Sequence, residues 1–271
     1  MAEPVEVKIK FGGLICRNQG KNMQEYWELY MKNLEGKPAS IQFNAGISME
    51  VEELGYTYPT IAFVKAKLKD PKENGLLSEA EEPEILYMED KLEASMIKFR
   101  IGKYVGRVIS DGYVTFLYYV QFTYNWPDFI EFALNEHGSY EVTNGHQEDG
   151  EWNYYKKLLY PTPREWQIIQ NHKVCDNLKE QGDNLHLERL IEHKLYFQDE
   201  SKKSELIKVL EEMEFKIGKE IVNEDGVKGL EFYRIDKAFY HDVDELTLNL
   251  IDITEAHHAQ YDGWETSAIK I

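Results

Sequence analysis

The densest set of chemistry-bearing side chains is HDVDELTLNLIDITEAHH, with His241, Asp242, Asp244, Glu245, His257 and His258. A metal centre needs several such ligands converging on one point. On a helix opening at Asp242, His241 and the His257–His258 pair lie about four turns apart. Acidic groups in a first turn and histidines in a last turn are what the helix dipole favours in any case. No metal and no cofactor is therefore predicted. GKYVGRV holds Gly102 and Gly106 but has no Walker lysine and no third glycine opening a helix, so it is not a phosphate loop. Cys16 and Cys175 follow no metal or redox spacing.

Glu192 and Asp262 are the remaining carboxylate pair, set on adjacent strands by the topology argued below. General acid–base work requires burial to raise one of their pKa values; the alternative is that both are exposed sheet-face carboxylates. His193 lies in LIEHKLYF, where Ile191, His193, Leu195 and Phe197 alternate with Glu192, Lys194 and Tyr196. It is either a core histidine bonded to a neighbour or a ligand or proton shuttle. Trp264, in YDGWET, either plugs the core under the last helix or is a rim aromatic of the kind enriched at interfaces.

The elements that position these residues can be read from periodicity and punctuation. EYWELYM and ASIQFNAGI form a hairpin about NLEGKP. TIAFVKAKLK follows as a strand. A helix runs from a Ser78–Glu81 capping box through Ile85, Met88, Leu92 and Met96. RIGKYVGRVIS and YVTFLYYVQF flank an Asp111–Gly112 turn, a strong hairpin signal. NWPDFIEFALNEHG has Pro127 near its start and Gly138 after its end, as a helix should, and SYEVTN closes the set as a strand. In the second half, Thr162 and Pro163 open a helix that stops at Gly182. ERLIEHKLYF, a helix from Ser201, the hairpin of FKIGKEIV with VKGLEFYRID, a helix capped by Asp242 and YDGWETSAI complete the chain.

Each half thus carries strand, helix, strand, strand, helix, strand. The predicted fold is α+β in two domains, each a split βαβ (ferredoxin-like) antiparallel sheet with both helices on one face. The boundaries expected are a leader at 1–24, an N-terminal domain at 25–150, a linker at 151–161 and a C-terminal domain at 162–271. In this plan YDGWET is the edge strand beside the first strand.

The 271 residues carry a formal net charge of −18, which argues against a nucleic-acid surface; it suits a basic protein partner or serves solubility alone. The third C-terminal strand, KGLEFYRID, holds Glu231 and Asp236 rather than a basic, glycine-rich aromatic run, so base stacking on this sheet is not expected. No apolar run reaches the roughly 18 residues of a membrane span. FGGLIC is too short for a signal-peptide core, and two free thiols fit a reducing cytoplasm.

YPTPREWQIIQN, the following GDNL, IEHKLYF and the terminal YDGWET together resemble the RraB family of regulators of ribonuclease E, over roughly residues 161 to 269. Glu192 stands where that family usually has Asp, and Lys194 where it has an aromatic. GKPASIQFNAG, MEDKLEA and YVGRVISDGYVTFLYY resemble a domain family of unknown function found fused ahead of RraB-like domains. The resemblance implies a ferredoxin-like, acidic, non-enzymatic protein that binds the arginine-rich, non-catalytic part of an endoribonuclease and restrains it. It brings no catalytic residues. The partner-binding candidates come from strand alternation and topology: Glu192, Tyr196 and Tyr233 on the free sheet face, with Tyr261, Asp262, Trp264 and Glu265 at the edge. The alternatives are a small-molecule sensor or enzyme with a site between the halves, and an interaction module for an unrelated partner.

Overall fold

The computed structural model describes residues 26–124, 126–134 and 140–269; the expected leader, with Cys16 and FGGLIC, lies outside them. The chain divides into two units between Pro161 and Thr162. Both are α+β units built on an antiparallel sheet.

The first unit opens with the predicted hairpin, β1 (Trp27–Leu34) and β2 (Lys37–Asn44). Glu35 and Gly36 both have positive φ, the turn that matches strand twist. A short helix α1 (Val51–Thr57) leads to β3 (Thr60–Lys67), α2 (Glu82–Phe99), β4 (Gly102–Ser110), β5 (Tyr113–Val120), α3 (Trp126–Leu134) and β6 (Val142–Glu148). The sheet order is β1-β2-β4-β5-β3-β6. Its last four strands follow the split βαβ plan, and the leading hairpin extends the sheet past β4. The Ser78 box forms only by half. Ser78 Oγ accepts from the Glu81 amide, but the Glu81 carboxylate turns to the amides of Lys69 and Asp70, at 2.8 and 2.9 Å.

Apolar residues of α2 and α3 pack on one sheet face: Ile85, Met88, Leu92, Trp126 and Phe129 meet Val64, Phe116 and Tyr118. Each such side chain contributes about 1.5–3 kcal/mol when fully buried. Glu89 of α2 is buried there too, accepting from the Tyr104 hydroxyl and the Arg107 guanidinium. Burial nonetheless raises its carboxyl above the usual range.

The segment expected as a linker, 151–161, is instead part of this core. Trp152, Tyr155 and Leu159 are spaced three and four apart and are buried on the sheet face opposite α2 and α3. The Trp152 ring stacks on Tyr119 at 3.9 Å, and its indole N–H donates to the Tyr58 carbonyl at 3.0 Å. Tyr155, in a single turn of π-helix, donates to the Asn44 carbonyl at 2.7 Å. Asp149 fastens this segment. Its carboxylate accepts from the Tyr119 hydroxyl at 2.5 Å and from the amides of Asn153 and Tyr154, each at 2.9 Å. Those bonds hold the carboxyl below its ordinary range in spite of its burial.

The second unit contains α4 (Pro163–Glu180), β7 (Glu188–Phe197), α5 (Lys203–Glu212), β8 (Lys216–Val222), β9 (Lys228–Lys237), α6 (Tyr240–Ala256) and β10 (Ala259–Thr266). Sheet order β10-β7-β9-β8 puts the first and third strands centrally and the last strand on the edge beside the first, as the split βαβ plan requires. Thr162 forms a full capping box with Glu165. Two helix starts differ from expectation. Ser201 lies before α5, whose cap is Lys202, and Asp242 sits inside the first turn of α6, whose cap is Phe239. There Asp242 acts through its charge at the positive helix end rather than as a cap.

Asp149→Ala is expected to destabilise the first unit by about 2–3 kcal/mol, since four charge-assisted hydrogen bonds disappear and the buried Tyr119 hydroxyl loses its acceptor. Urea unfolding followed by tryptophan fluorescence measures it.

Candidate functional site

Strand alternation sorts the side chains of the second unit onto two faces. Arg189, Ile191, His193, Leu195 and Phe197 of β7 turn towards the helices; Leu190, Glu192, Lys194 and Tyr196 turn to the other face. The same rule places Phe232 of β9 inward and Glu231, Tyr233 and Ile235 outward.

On β10 the alternation is reset. Tyr261 and Trp264 are three residues apart, so a regular strand would point them to opposite faces. Tyr261 pairs with Leu195, Gly263 with Lys194 and Trp264 with His193, leaving Asp262 as the extra residue of a β-bulge. Gly263 supplies the required φ of +101°. Both aromatic rings are therefore buried, at 5% and 6% exposure.

Once inward, each ring finds a polar partner. Trp264 Nε1 donates to Asn171 Oδ1 at 2.7 Å. That oxygen also accepts from Gln167 at 2.8 Å, while Asn171 Nδ2 donates to Asp244 Oδ1 and Thr247 Oγ1, both at 2.8 Å. Asn171 thus ties α4, α6 and β10 together. The Tyr261 hydroxyl and His193 Nδ1 share a 2.8 Å hydrogen bond. His193 stacks on Phe232, and its Nε2 has no partner. Burial, reinforced by the Arg234 guanidinium, pushes the imidazole down to about 3, so the ring is neutral at physiological pH.

Asp183 receives a bidentate bond from Arg189, at 2.6 and 2.7 Å, and the amide of Ile269 at 2.5 Å. His172 bonds Asp244 at 2.8 Å, one turn from Cys175. This is not a nucleophile–base pair: the thiol donates to the Ala238 carbonyl at 3.3 Å, and burial pushes it up to about 12. Among the described residues no three His, Cys, Asp or Glu side chains are grouped to hold a metal.

The helix-free face carries cross-strand rows of Leu190 with Ile235, Glu192 with Tyr233, and Lys194 with Glu231. Leu190 and Ile235 are 45% and 57% exposed. Glu265 faces Glu192 and bonds Lys194 at 3.2 Å. The anticipated Glu192–Asp262 pair does not face across the strands, because the bulge sets Asp262 against Lys194. Burial still pushes the Asp262 carboxyl up to about 6, with Lys194 pulling the other way.

Residues 25–160 match the model of a family of unknown function, DUF695. The chain belongs to that family. Within this DUF695 protein, residues 168–266 match the model of Regulator of ribonuclease activity B, RraB. No curated protein sequence matches the chain. One solved structure, described as an unknown protein from Galdieria sulphuraria, aligns at 8% identity over 78% of this chain and 99% of its own. Its TM-score of 0.21 carries no argument about this protein.

The stretches through which the RraB resemblance was recognised meet inside the domain of the DUF695 protein. Asn171 meets Trp264, His193 meets Tyr261, and Asp183 of GDNL holds the strand arginine Arg189. Tyr261, expected at a binding rim, is thus corrected to a core residue, and of the two readings of Trp264 the core plug holds rather than the rim aromatic. Glu192, Tyr196, Tyr233, Asp262 and Glu265 do share the helix-free side. Sequence reasoning missed Asn171 and Asp183, whose signal is a polar residue beside the buried stripe of a helix or just past its end. It also missed Leu190 and Ile235, apolar residues in outward strand positions.

Asn171→Ala is expected to cost about 2–4 kcal/mol by leaving the indole N–H and Thr247 without it, with Asn171→Ala and Trp264→Phe clearly less than additive in a double-mutant cycle.

Two groups set opposing pH slopes. Below about 6.5 the unfolded chain protonates His193 while the folded ring stays neutral to about 3, so stability falls with pH across that window. Asp262 acts oppositely: the folded carboxyl holds its proton up to about 6 against an ordinary 3.8, so stability falls as pH rises between them. Asp262→Asn should therefore raise the melting temperature at pH 7, lose that gain near pH 4 and steepen the acid limb. His193→Gln should flatten the limb. Near-UV circular dichroism melts from pH 4 to 8 measure both.

Proposed function

We propose that this chain is a non-catalytic, cytoplasmic regulator of a ribonuclease, acting through protein–protein contact by the helix-free face of its second unit. The RraB match over residues 168–266 supports a role in regulating ribonuclease activity. The observation that carries the interface is the face itself. From one end to the other it runs from the exposed Leu190–Ile235 pair through the Glu192–Tyr233 and Lys194–Glu231 rows to Tyr196, with Asp262 and Glu265 on the adjoining edge strand and Lys219 paired with Glu231. Exposed apolar and aromatic side chains interspersed with charged ones suit a transient, polar protein interface. The excess of carboxylates suits a basic segment of an endoribonuclease or of its scaffold, and a net charge of −18 steers such a partner towards the chain.

The experiment is an RNA-cleavage assay with a purified ribonuclease E-type enzyme that retains its non-catalytic arginine-rich region. The full chain should slow cleavage and bind that region, with affinity falling several-fold between about 0.05 and 0.3 M salt as exposed charges are screened. Tyr233→Ala should weaken binding about tenfold, as for a central interface aromatic. Unaltered cleavage at saturating protein overturns this reading.

A further inference from the structure

The β10 bulge does more than bury two rings: it turns Asp262 onto the helix-free face and leaves its carboxylate unanswered. Among the described residues no hydrogen bond or ion pair reaches it; the nearby Lys194 ammonium is engaged by Glu265 at 3.2 Å. Asp262 is nevertheless half-buried on that face. A partly desolvated carboxylate without a donor is costly. In this fold it is also avoidable, since the bulge requires its glycine and not the residue before it. Tyr196 of β7 pairs with Gln260, two residues before Asp262, and its phenol is raised above the ordinary value first by burial and then by the Asp262 charge. The titratable groups facing Asp262 are Lys194 and Tyr196 on β7, Glu231 on β9 and Glu265 on β10. Lys216 and Lys219 lie on the far strand β8.

Resting on the interface reading above, we infer that Asp262, presented by the Gly263 bulge beside the Tyr196 ring, is the anchor for an arginine side chain of the protein partner. A guanidinium supplies two parallel donors to the carboxylate and a flat face for the phenol ring. A lysine ammonium offers neither the fork nor the plane, so arginine is the cation this geometry selects.

Two measurements on the full chain test the inference and separate it from the interface reading. In the first, the Asp262 carboxyl carbon is followed by NMR while a blocked Gly-Gly-Arg-Gly-Gly peptide is added, with the lysine analogue as control. The arginine peptide should lower the Asp262 titration midpoint and move the Tyr196 ring signals, and the lysine peptide should do so at least threefold less at equal concentration. Equal responses, or none, overturn the arginine anchor. In the second, Asp262→Asn should reduce affinity for the ribonuclease's arginine-rich region at least tenfold while its melting temperature at pH 7 stays at or above wild type. Binding undiminished in Asp262→Asn overturns the anchor but leaves the interface standing. A specific response to the arginine peptide with no binding to the ribonuclease keeps the anchor and overturns the ribonuclease as its partner.

Discussion

Tyr261 and Trp264 sit three residues apart on one strand and still enter the same interior, because the bulge at Asp262–Gly263 resets the alternation between them. Much of the second unit follows from that reset. With Trp264 inward, Asn171 has an indole donor to accept from, and α4, which is not part of the split βαβ unit, is tied to α6 and β10. With Tyr261 inward, His193 has a hydroxyl partner and remains neutral within an aromatic cluster. The same residue insertion turns Asp262 onto the helix-free face, where it is half-buried. One backbone irregularity therefore builds the core and furnishes the surface, in line with the general placement of bulges where a side chain has to be re-aimed.

Buried polar groups recur in both units and serve a common end. Asn171, Asp183 and Asp149 are each at the centre of several good hydrogen bonds, and each fastens a segment that a hydrophobic face alone would hold loosely. An apolar contact tolerates sliding, whereas a carboxylate that accepts from two or three fixed donors does not. The cost of burying these groups is met by their near-complete satisfaction. The Glu89–Tyr104–Arg107 cluster is less complete, since Arg107 Nε has no partner, and burial raises the Glu89 carboxyl. That contrast separates groups that hold segments in place from one whose own protonation is under strain.

The two sheets are finished differently. In the first unit helices cover one face, and Trp152, Tyr155 and Leu159 pack on the other. In the second, the face opposite the helices keeps Leu190 and Ile235 exposed at one end of the central strand pair, with charged residues further along the same strands. The uncovered face of the second sheet combines exposed apolar side chains with the carboxylates Glu192, Glu231, Asp262 and Glu265.

Element order and sheet topology were legible from the sequence because local signals carry them. The Glu35–Gly36 and Asp111–Gly112 turns, the Thr162–Pro163 helix start and the strict alternation of LIEHKLYF each act within a few residues. Stretches resembling RraB were legible too, as was the inward face of His193. The linker was misjudged because polar QEDGE masked the helical spacing of Trp152, Tyr155 and Leu159, whose purpose appears only when Tyr119 lies opposite. Tyr261 was misplaced, and Trp264 left between core and rim, for a related reason: a bulge breaks the period of two on which face assignment rests, and its position depends on pairing with Lys194. Sequence determined most of the strands and helices and the pairing order of the two split βαβ sets, but not α1, the turn at 155–159 or the joining of the β1–β2 hairpin to the first sheet. The tertiary structure alone decided which polar side chains were satisfied and which, like Asp262, were left facing outwards, because hydrogen-bond satisfaction is a property of groups brought together from distant parts of the chain.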